Sequence, residues 1–162
     1  MTDIAKEFPD YPVASLPEIP AGFVASHWHN DACPSWERGY LKLFIDYPDA
    51  PERDDDRVGA RFSLQTISKL GDADEILQTD DWQEIVDNIA CHNVGQRVRF
   101  TYEFSQFPHF MVDEGATGTV IDAHEAFVSV KCDAPIPGCE EWQNVVHVDG
   151  NRQGAIAPIK EG

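Results

Sequence analysis

The sequence predicts an α+β fold, with a β-hairpin and one helix in its N-terminal part and a C-terminal part built of strands. Alternating apolar and polar residues at 41–47, 61–67 and 95–104 are typical of half-buried strands. Apolar residues recur at helical spacing around residue 85. The composition, 42% hydrophobic and 25% charged, is that of a globular chain rather than a disordered one. A chain of 162 residues can bury one core, or two small ones, without disulfide bonds.

Residues 1–20 are predicted to form an extended arm. They contain four prolines and little periodicity, and proline interrupts both helices and central strands. No basic start is followed by an apolar run, as a signal peptide requires, and no window approaches the ~18 apolar residues of a membrane helix. We therefore expect a soluble cytoplasmic protein that contacts no membrane and keeps its four cysteines reduced.

Residues 21–94 are predicted to form a ββα unit. Each of its two strands has one apolar face, made by Leu41, Leu43 and Ile45 in the first strand and by Phe62, Leu64 and Thr66 in the second. The simplest arrangement is an antiparallel hairpin with a long acidic connection. This unit is too small to hide the apolar sides of both its hairpin and its helix. We therefore expect it to dock against the C-terminal unit.

A helix is predicted at the end of this unit. Its apolar face is made by Trp82, Ile85, Val86 and Ile89. Thr79 or Asp80 is the expected N-cap, because short polar side chains accept hydrogen bonds from the first free amides of a helix. Asn93 and Gly95 supply the stop, which sets the boundary between the two units near Asn93.

Residues 95–162 are predicted to form a unit of strands and turns. The clearest alternation in the chain places Val98, Phe100, Tyr102 and Phe104 on one face of a strand. After a long loop come Glu114-Gly115-Ala116-Thr117-Gly118-Thr119-Val120, a strand at 127–130 and a closing strand at 142–148. Glycine suits the bend before the second strand, because it tolerates positive φ and close backbone approach.

This order of elements, over about 95–149, resembles an SH3-like small β-barrel. The Gly-x-x-Gly-Thr-Val element is the most telling part, since it resembles the point where such barrels bend sharply into their second strand. The resemblance implies a small barrel with a binding or structural role rather than a reaction. Residues 1–94 resemble no family that we recognise.

One segment predicts a metal site. His27, His29 and Cys33 lie within seven residues of one another, and imidazole and thiolate are zinc ligands. In an extended segment the two histidines would face the same side, and a turn at Asn30-Asp31 would return the cysteine toward them. The alternative is a loop pinned by aromatic side chains, whose polar groups bond to nearby backbone. The expected cofactor is none, with zinc at this segment as the alternative; calcium or magnesium at the acidic connection is less favoured than a solvated loop.

A second set of residues predicts a binding surface. The long loop of the C-terminal unit carries Phe107, Pro108, His109 and Phe110, and Trp28 and Trp36 are large aromatic groups in the N-terminal unit. Exposed aromatic side chains at the rim of a small barrel would form a peptide groove or a subunit contact. The alternative is that they cap the core.

The charge and the missing motifs narrow the function. A net charge of −17 disfavours direct contact with nucleic acid, because phosphate binding depends on Lys and Arg. Dinucleotide-binding, P-loop, hydrolase-elbow and zincin motifs are absent from the sequence, which lowers the expectation of an enzyme.

Cys132 and Cys139 bracket a turn and could form a disulfide, although free thiols are favoured.

The sequence therefore predicts a small acidic, non-enzymatic protein-interaction or accessory module, monomeric or homodimeric, whose partner is another protein. Two alternatives remain open. The first is a nucleic-acid mimic that inhibits a DNA-binding protein, with carboxylates spaced like phosphates. The second is a metal-dependent enzyme that uses the loop with His27, His29 and Cys33.

Overall fold

The computed structural model describes residues 4–53, 59–106, 110–137, 144–149 and 154–160, with the backbone alone at 106 and 110. The chain divides into two compact units, Met1–Ile85 and Val86–Gly162. Each unit contains a five-stranded antiparallel sheet, and helices are few, so the fold is mixed and strand-rich, as fits the predicted α+β class. The sequence prediction placed the boundary near Asn93, after the helix, whereas the division falls within that helix.

The first unit is an antiparallel meander in which each strand pairs with the next. Its sheet order is β1-β2-β3-β4-β5. The elements are α1 (Ile4–Glu7), a 3-10 turn (Val13–Ser15), β1 (Val24–Ala25), β2 (Ser35–Arg38), β3 (Leu41–Ile45), a 3-10 turn (Ala50–Glu52), β4 (Phe62–Ile67), β5 (Ala73–Thr79) and the start of α2 (Trp82–Cys91).

The predicted hairpin is confirmed as β3 and β4. Leu43 lies opposite Leu64, and Ile45 lies opposite Phe62, so the apolar faces of the two strands coincide. The prediction of two strands was incomplete, because β2 and β5 flank this pair. In β2, Trp36 lies opposite Leu43 and is buried with it. A register shift in the pairing of β5 with β4 interrupts the alternation that would have revealed β5.

The predicted extended arm is wrong for the described residues between 4 and 20. This segment contains α1 and a 3-10 turn, and it buries the rings of Phe8 and Tyr11. The Tyr11 hydroxyl donates to the carbonyl of Ile45, 3.2 Å away. Aromatic burial therefore fixes a proline-rich segment that local pattern alone presents as extended.

Helix α2 is confirmed, with a different cap. The Asp81 carboxylate accepts from the amide of Gln83 at 2.8 Å, which makes Asp81 the N-cap. The expected cap Asp80 instead accepts from the Arg53 guanidinium at 3.0 Å. The predicted stop is present as Gly95, whose φ of +90° favours glycine.

The second unit contains a sheet of order β11-β10-β9-β6-β12 and a separate two-stranded hairpin. Its strands are β6 (Arg97–Phe100), β7 (Phe104–Gln106), β8 (Phe110–Val112), β9 (Thr117–Ala123), β10 (Phe127–Cys132), β11 (Val145–Asp149) and β12 (Ile156–Pro158). The specific prediction of a small barrel is not confirmed. Among the described residues no closed barrel is seen, and β11 and β12 form the two edges of an open sheet.

The long strand expected at 95–104 is divided in two. Strand β6 ends at Phe100, and the amide of Thr101 donates to the carbonyl of Ala155. Tyr102 is exposed, and Phe104 begins β7. Phe100 and Phe104 are nevertheless both buried, with ring centroids 5.9 Å apart. The alternation therefore predicted these two core residues correctly but not the course of the backbone.

The two glycines before and within β9 act as expected. Gly115 has a φ of +83°, which L side chains rarely adopt. A Cβ on Gly118 would lie 2.6 Å from the carbonyl oxygen of Lys131 in β10. The first glycine permits the turn into the strand, and the second permits close approach of the neighbouring strand.

Among the described residues, no helix combines the length and apolar character needed to cross a bilayer.

Candidate functional site

The second unit contains a surface groove of about 250 Å³. One side is formed by the end of β8 and the following turn, at 111–113 and 115–117, and the other by the segment after β10, at 132–137. Val112, Cys132 and Ile136 are buried beneath it. Because these stretches are far apart in sequence, the groove exists only once β9 and β10 have paired.

Part of the rim of the groove is apolar and exposed. Met111 has 51% of its surface accessible, and Pro135 and Pro137 are also exposed. Proline restricts its own backbone, so this wall loses little conformational freedom when another molecule binds.

Asn144 holds one wall of the groove from inside. Its side-chain oxygen accepts from the amide of Ile136 at 2.9 Å. Its side-chain nitrogen donates to the carbonyls of Cys132 at 2.7 Å and Ala134 at 3.0 Å. The residue is buried, so these bonds replace contacts with water. Sequence reasoning missed this residue, since an asparagine ahead of an apolar strand carries no distinctive signal.

A second brace fixes the same wall from outside. The Arg97 guanidinium donates to both carboxylate oxygens of Asp133, with one bond at 2.6 Å, and the Thr117 hydroxyl also donates to this carboxylate. Hydrogen bonds from Arg97 and Thr117 lower the pKa of Asp133 to about 2. The hydrogen bond to Asp133 in turn raises the pKa of Arg97. The brace joins β6, β9 and the segment after β10.

Asp113 lines the other side of the groove, and Glu114 follows it in the chain. Asp113 and Glu114 are exposed in the turn after β8. Neither takes part in an ion pair with another described residue. The charge of Asp133, by contrast, is balanced by Arg97. On the neighbouring strand β6, Arg99 is an exposed cation opposite Thr117, which lines the groove.

The structure places the predicted binding residues in different environments. Phe107, Pro108 and His109 lie outside the described residues, and Phe110 is described only as backbone in β8. Trp28 is 63% exposed in the first unit, with its ring centroid 5.8 Å from that of His29. Trp36 is only 6% exposed, because it lies on the buried face of β2. A binding role for Trp36 is therefore corrected to a core role.

The predicted metal ligands are not brought together. Among the described residues, no three His, Cys, Asp or Glu side chains form a set that could hold a metal ion. The His27 ring is buried beside Phe8, at a centroid distance of 5.5 Å, and its Nδ1 lies 3.1 Å from the carbonyl oxygen of Ser35. His29 is exposed, with Nδ1 3.8 Å from a carboxylate oxygen of Glu7.

The loop geometry explains this separation of His27, His29 and Cys33. The amide of Asp31 donates to the carbonyl of Trp28, and the Asp31 carboxylate accepts from the amide of Trp28 at 2.8 Å. This tight turn begins between the two histidines and directs His29 outward. His27 and Cys33 are buried. The assumption of an extended segment with both imidazoles on one side was wrong.

Two of the described thiols, Cys91 and Cys132, are poorly suited to nucleophilic chemistry. Burial raises the pKa of Cys91 to about 12 and that of Cys132 to about 11. The Cys91 thiol donates to the carbonyl of Ile156 at 3.7 Å. Cys132 is a free thiol, while Cys139 lies outside the described residues. At neutral pH Cys91 and Cys132 are protonated core groups.

Comparison of the chain with protein-family models, curated proteins and solved structures found no match. The volume of the groove, about 250 Å³, lies just below the ~300–1,000 Å³ typical of small-molecule sites.

Proposed function

We propose that the chain is a non-enzymatic protein-interaction or accessory module, and that its second unit contacts another protein through the groove beside β8. The proposal rests chiefly on one observation, an apolar groove whose wall is fixed by Asn144 and by the Arg97–Asp133 pair. A wall that is already ordered reduces the entropy lost on binding. Met111 would serve as the exposed apolar contact, since flexible methionine side chains adapt to a partner's shape.

We also propose that residues 95–149 form an SH3-like unit. The supporting order is a first strand β6, a long excursion that contains β7 and β8, entry into β9 past Gly115, and then β10 and β11. Strand β12 pairs back onto β6, which brings the last described strand beside the first one of this unit. Such a unit is consistent with a binding role, although fold alone fixes no partner.

The proposal includes no resident cofactor and no direct contact with nucleic acid or membrane. The protein would act in the cytoplasm as a monomer or homodimer. An interaction module is favoured over a nucleic-acid mimic because several described carboxylates are paired with neighbouring cations, as Glu37 is with Lys42 and Asp87 with Lys160. It is favoured over a metal enzyme because the three candidate metal ligands are separated. Trp28 is a second proposed contact, since exposed tryptophan is common at binding hot spots.

The test compares Met111→Asp with Leu70→Asp as baits for protein capture from the source cells. Leu70 is 91% exposed in a turn of the first unit, so it receives the same chemical change away from the groove. We expect a protein that wild type and Leu70→Asp retain and that Met111→Asp loses. Thermal unfolding of all three chains verifies that they are folded. If the three baits retain the same proteins, the groove is not the contact and the proposal fails.

A further inference from the structure

Among the described residues, Met111 carries the one sulfur atom that is open to solvent. Its surface is 51% accessible, and it lines the rim of the groove. The described cysteines are all buried, namely Cys33, Cys91 and Cys132. An oxidant in solution therefore meets the thioether of Met111 before it meets a described thiol.

The chemistry of the two kinds of sulfur favours oxidation of Met111 further. A thiol reacts with a peroxide as its thiolate, and burial raises the pKa of Cys91 to about 12 and that of Cys132 to about 11. Both thiols therefore stay protonated at neutral pH. A thioether has a reactive lone pair without losing a proton, so the exposure of Met111 is enough to make it a target.

We propose that Met111 is a site of reversible oxidation by a peroxide, and that the sulfoxide releases the protein bound in the groove. The inference rests on the proposed function and adds its regulation. The thioether sulfur gives up two electrons, and the O–O bond of the peroxide breaks. One peroxide oxygen bonds to the sulfur, and the other leaves as water when the oxidant is hydrogen peroxide.

The position of Met111 explains why this change acts as a switch. Met111 precedes Val112, which is buried beneath the groove, and Pro135 and Pro137 line the other wall. A sulfoxide oxygen is a hydrogen-bond acceptor, and proline has no amide hydrogen to donate to it. A partner that covers Met111 would bury this polar oxygen without a compensating bond from these prolines, which weakens binding.

The first part of the test treats the full chain with hydrogen peroxide and locates the added oxygen by peptide mass spectrometry. We expect Met111 in the folded chain to be oxidised within about threefold of its rate in the urea-unfolded chain, because half of its surface is accessible. Cys91 and Cys132 should be oxidised at least about tenfold faster once the chain is unfolded. Protection of Met111 in the folded chain would overturn the inference.

The second part measures binding by fluorescence anisotropy. The probe is a synthetic dodecapeptide that is selected from a phage-displayed library on the unoxidised chain and that Met111→Asp fails to bind. Peroxide should weaken its binding to wild type at least about fivefold, and methionine sulfoxide reductase should restore it. Met111→Leu is the matched control, since it keeps all four cysteines but has no thioether at this position. Its affinity after treatment should stay within about twofold of its own value before treatment.

The outcomes separate this inference from the proposed function. An oxidised wild type that binds the peptide as before, a loss that the reductase does not reverse, or an equal loss with Met111→Leu would overturn the switch and leave the interaction module standing. Failure to obtain any peptide that depends on Met111 would overturn both.

Discussion

Asn144 is the residue on which the groove wall depends most directly, since one buried side chain satisfies three backbone groups. Asn144→Ala should lower the free energy of unfolding by about 2–3 kcal/mol, because it leaves these buried backbone groups without a hydrogen-bond partner where water does not reach them. Urea unfolding measures the loss. Asn144→Asp should not restore stability, because its carboxylate would face two carbonyl oxygens without a proton to donate.

Asn30→Ala is the matched control for this prediction, because Asn30 is an exposed residue of a turn in the first unit. It should change stability by less than about 0.5 kcal/mol. An Asn144→Ala variant as stable as Asn30→Ala would show that the wall does not depend on this side chain.

Gly115 and Gly118, at the start of β9, require glycine for two different reasons. Gly118→Ala should destabilise the chain by about 1–3 kcal/mol, since the new Cβ would lie 2.6 Å from the Lys131 carbonyl oxygen and force the strands apart. Gly115→Ala meets open space but adopts positive φ, so its cost should be near 1 kcal/mol. Gly115→Asn should recover part of that cost, because asparagine tolerates this conformation better.

Thermal unfolding of the glycine variants provides the measurement. The result that would count against this account is full stability of Gly118→Ala, since no side chain fits between β9 and β10 at that point as the strands are paired.

At the scale of elements, the brace between β6, β9 and the segment after β10 gives stability a particular dependence on pH. The pKa of Asp133 is about 2 in the folded chain, below its ordinary value of 3.8. A lowered pKa means that the contribution is fully present above about pH 4 and is lost as the pH falls toward 2. The effect should be small, because the pair is exposed and solvent screens it.

The measurement is urea unfolding of wild type and Asp133→Asn between pH 5 and pH 2.5. The difference in stability between the two chains should shrink as the pH falls, since only wild type has a carboxylate to protonate at this position. A constant difference over this range would contradict the role given to the carboxylate.

The elements differ in how far the sequence predicts them, and the reason is physical. The spacing of Trp82, Ile85 and Ile89 is a local signal, so helix α2 could be predicted from it. The β3–β4 hairpin follows for the same reason. Strand β2 could not be predicted, because Trp36 and its neighbours form a strand only through pairing with β3.

The candidate site was less accessible to sequence reasoning than the fold. The sequence predicts a binding surface on the Phe-rich loop at 104–112, and Met111 near the end of that stretch lines the groove. The opposite wall at 132–137 carried no binding signal, because it depends on the register of β9 with β10 and on Asn144. The register of this hairpin and one buried side chain therefore create the site, and the residue pattern of 132–137 alone does not reveal it.

At the scale of the whole molecule, a charge of −17 would speed the encounter of the proposed interaction module with a cationic partner. If the partner captured through Met111 is cationic, raising NaCl from about 50 to about 500 mM should weaken its binding several-fold, because salt screens exposed charges. Fluorescence anisotropy with the labelled partner measures this, with the stability of the chain followed in parallel. A partner whose affinity is unchanged by salt would indicate an apolar contact alone.

The central claim is that the groove of the second unit is where this protein contacts another protein. It is tested most directly by placing the photo-crosslinker p-benzoylphenylalanine at Met111, and at Leu70 as the control, and irradiating in the source cells. The account predicts a discrete crosslinked protein at Met111 that is absent at Leu70. No crosslinked protein at Met111, or the same proteins at both positions, would contradict it.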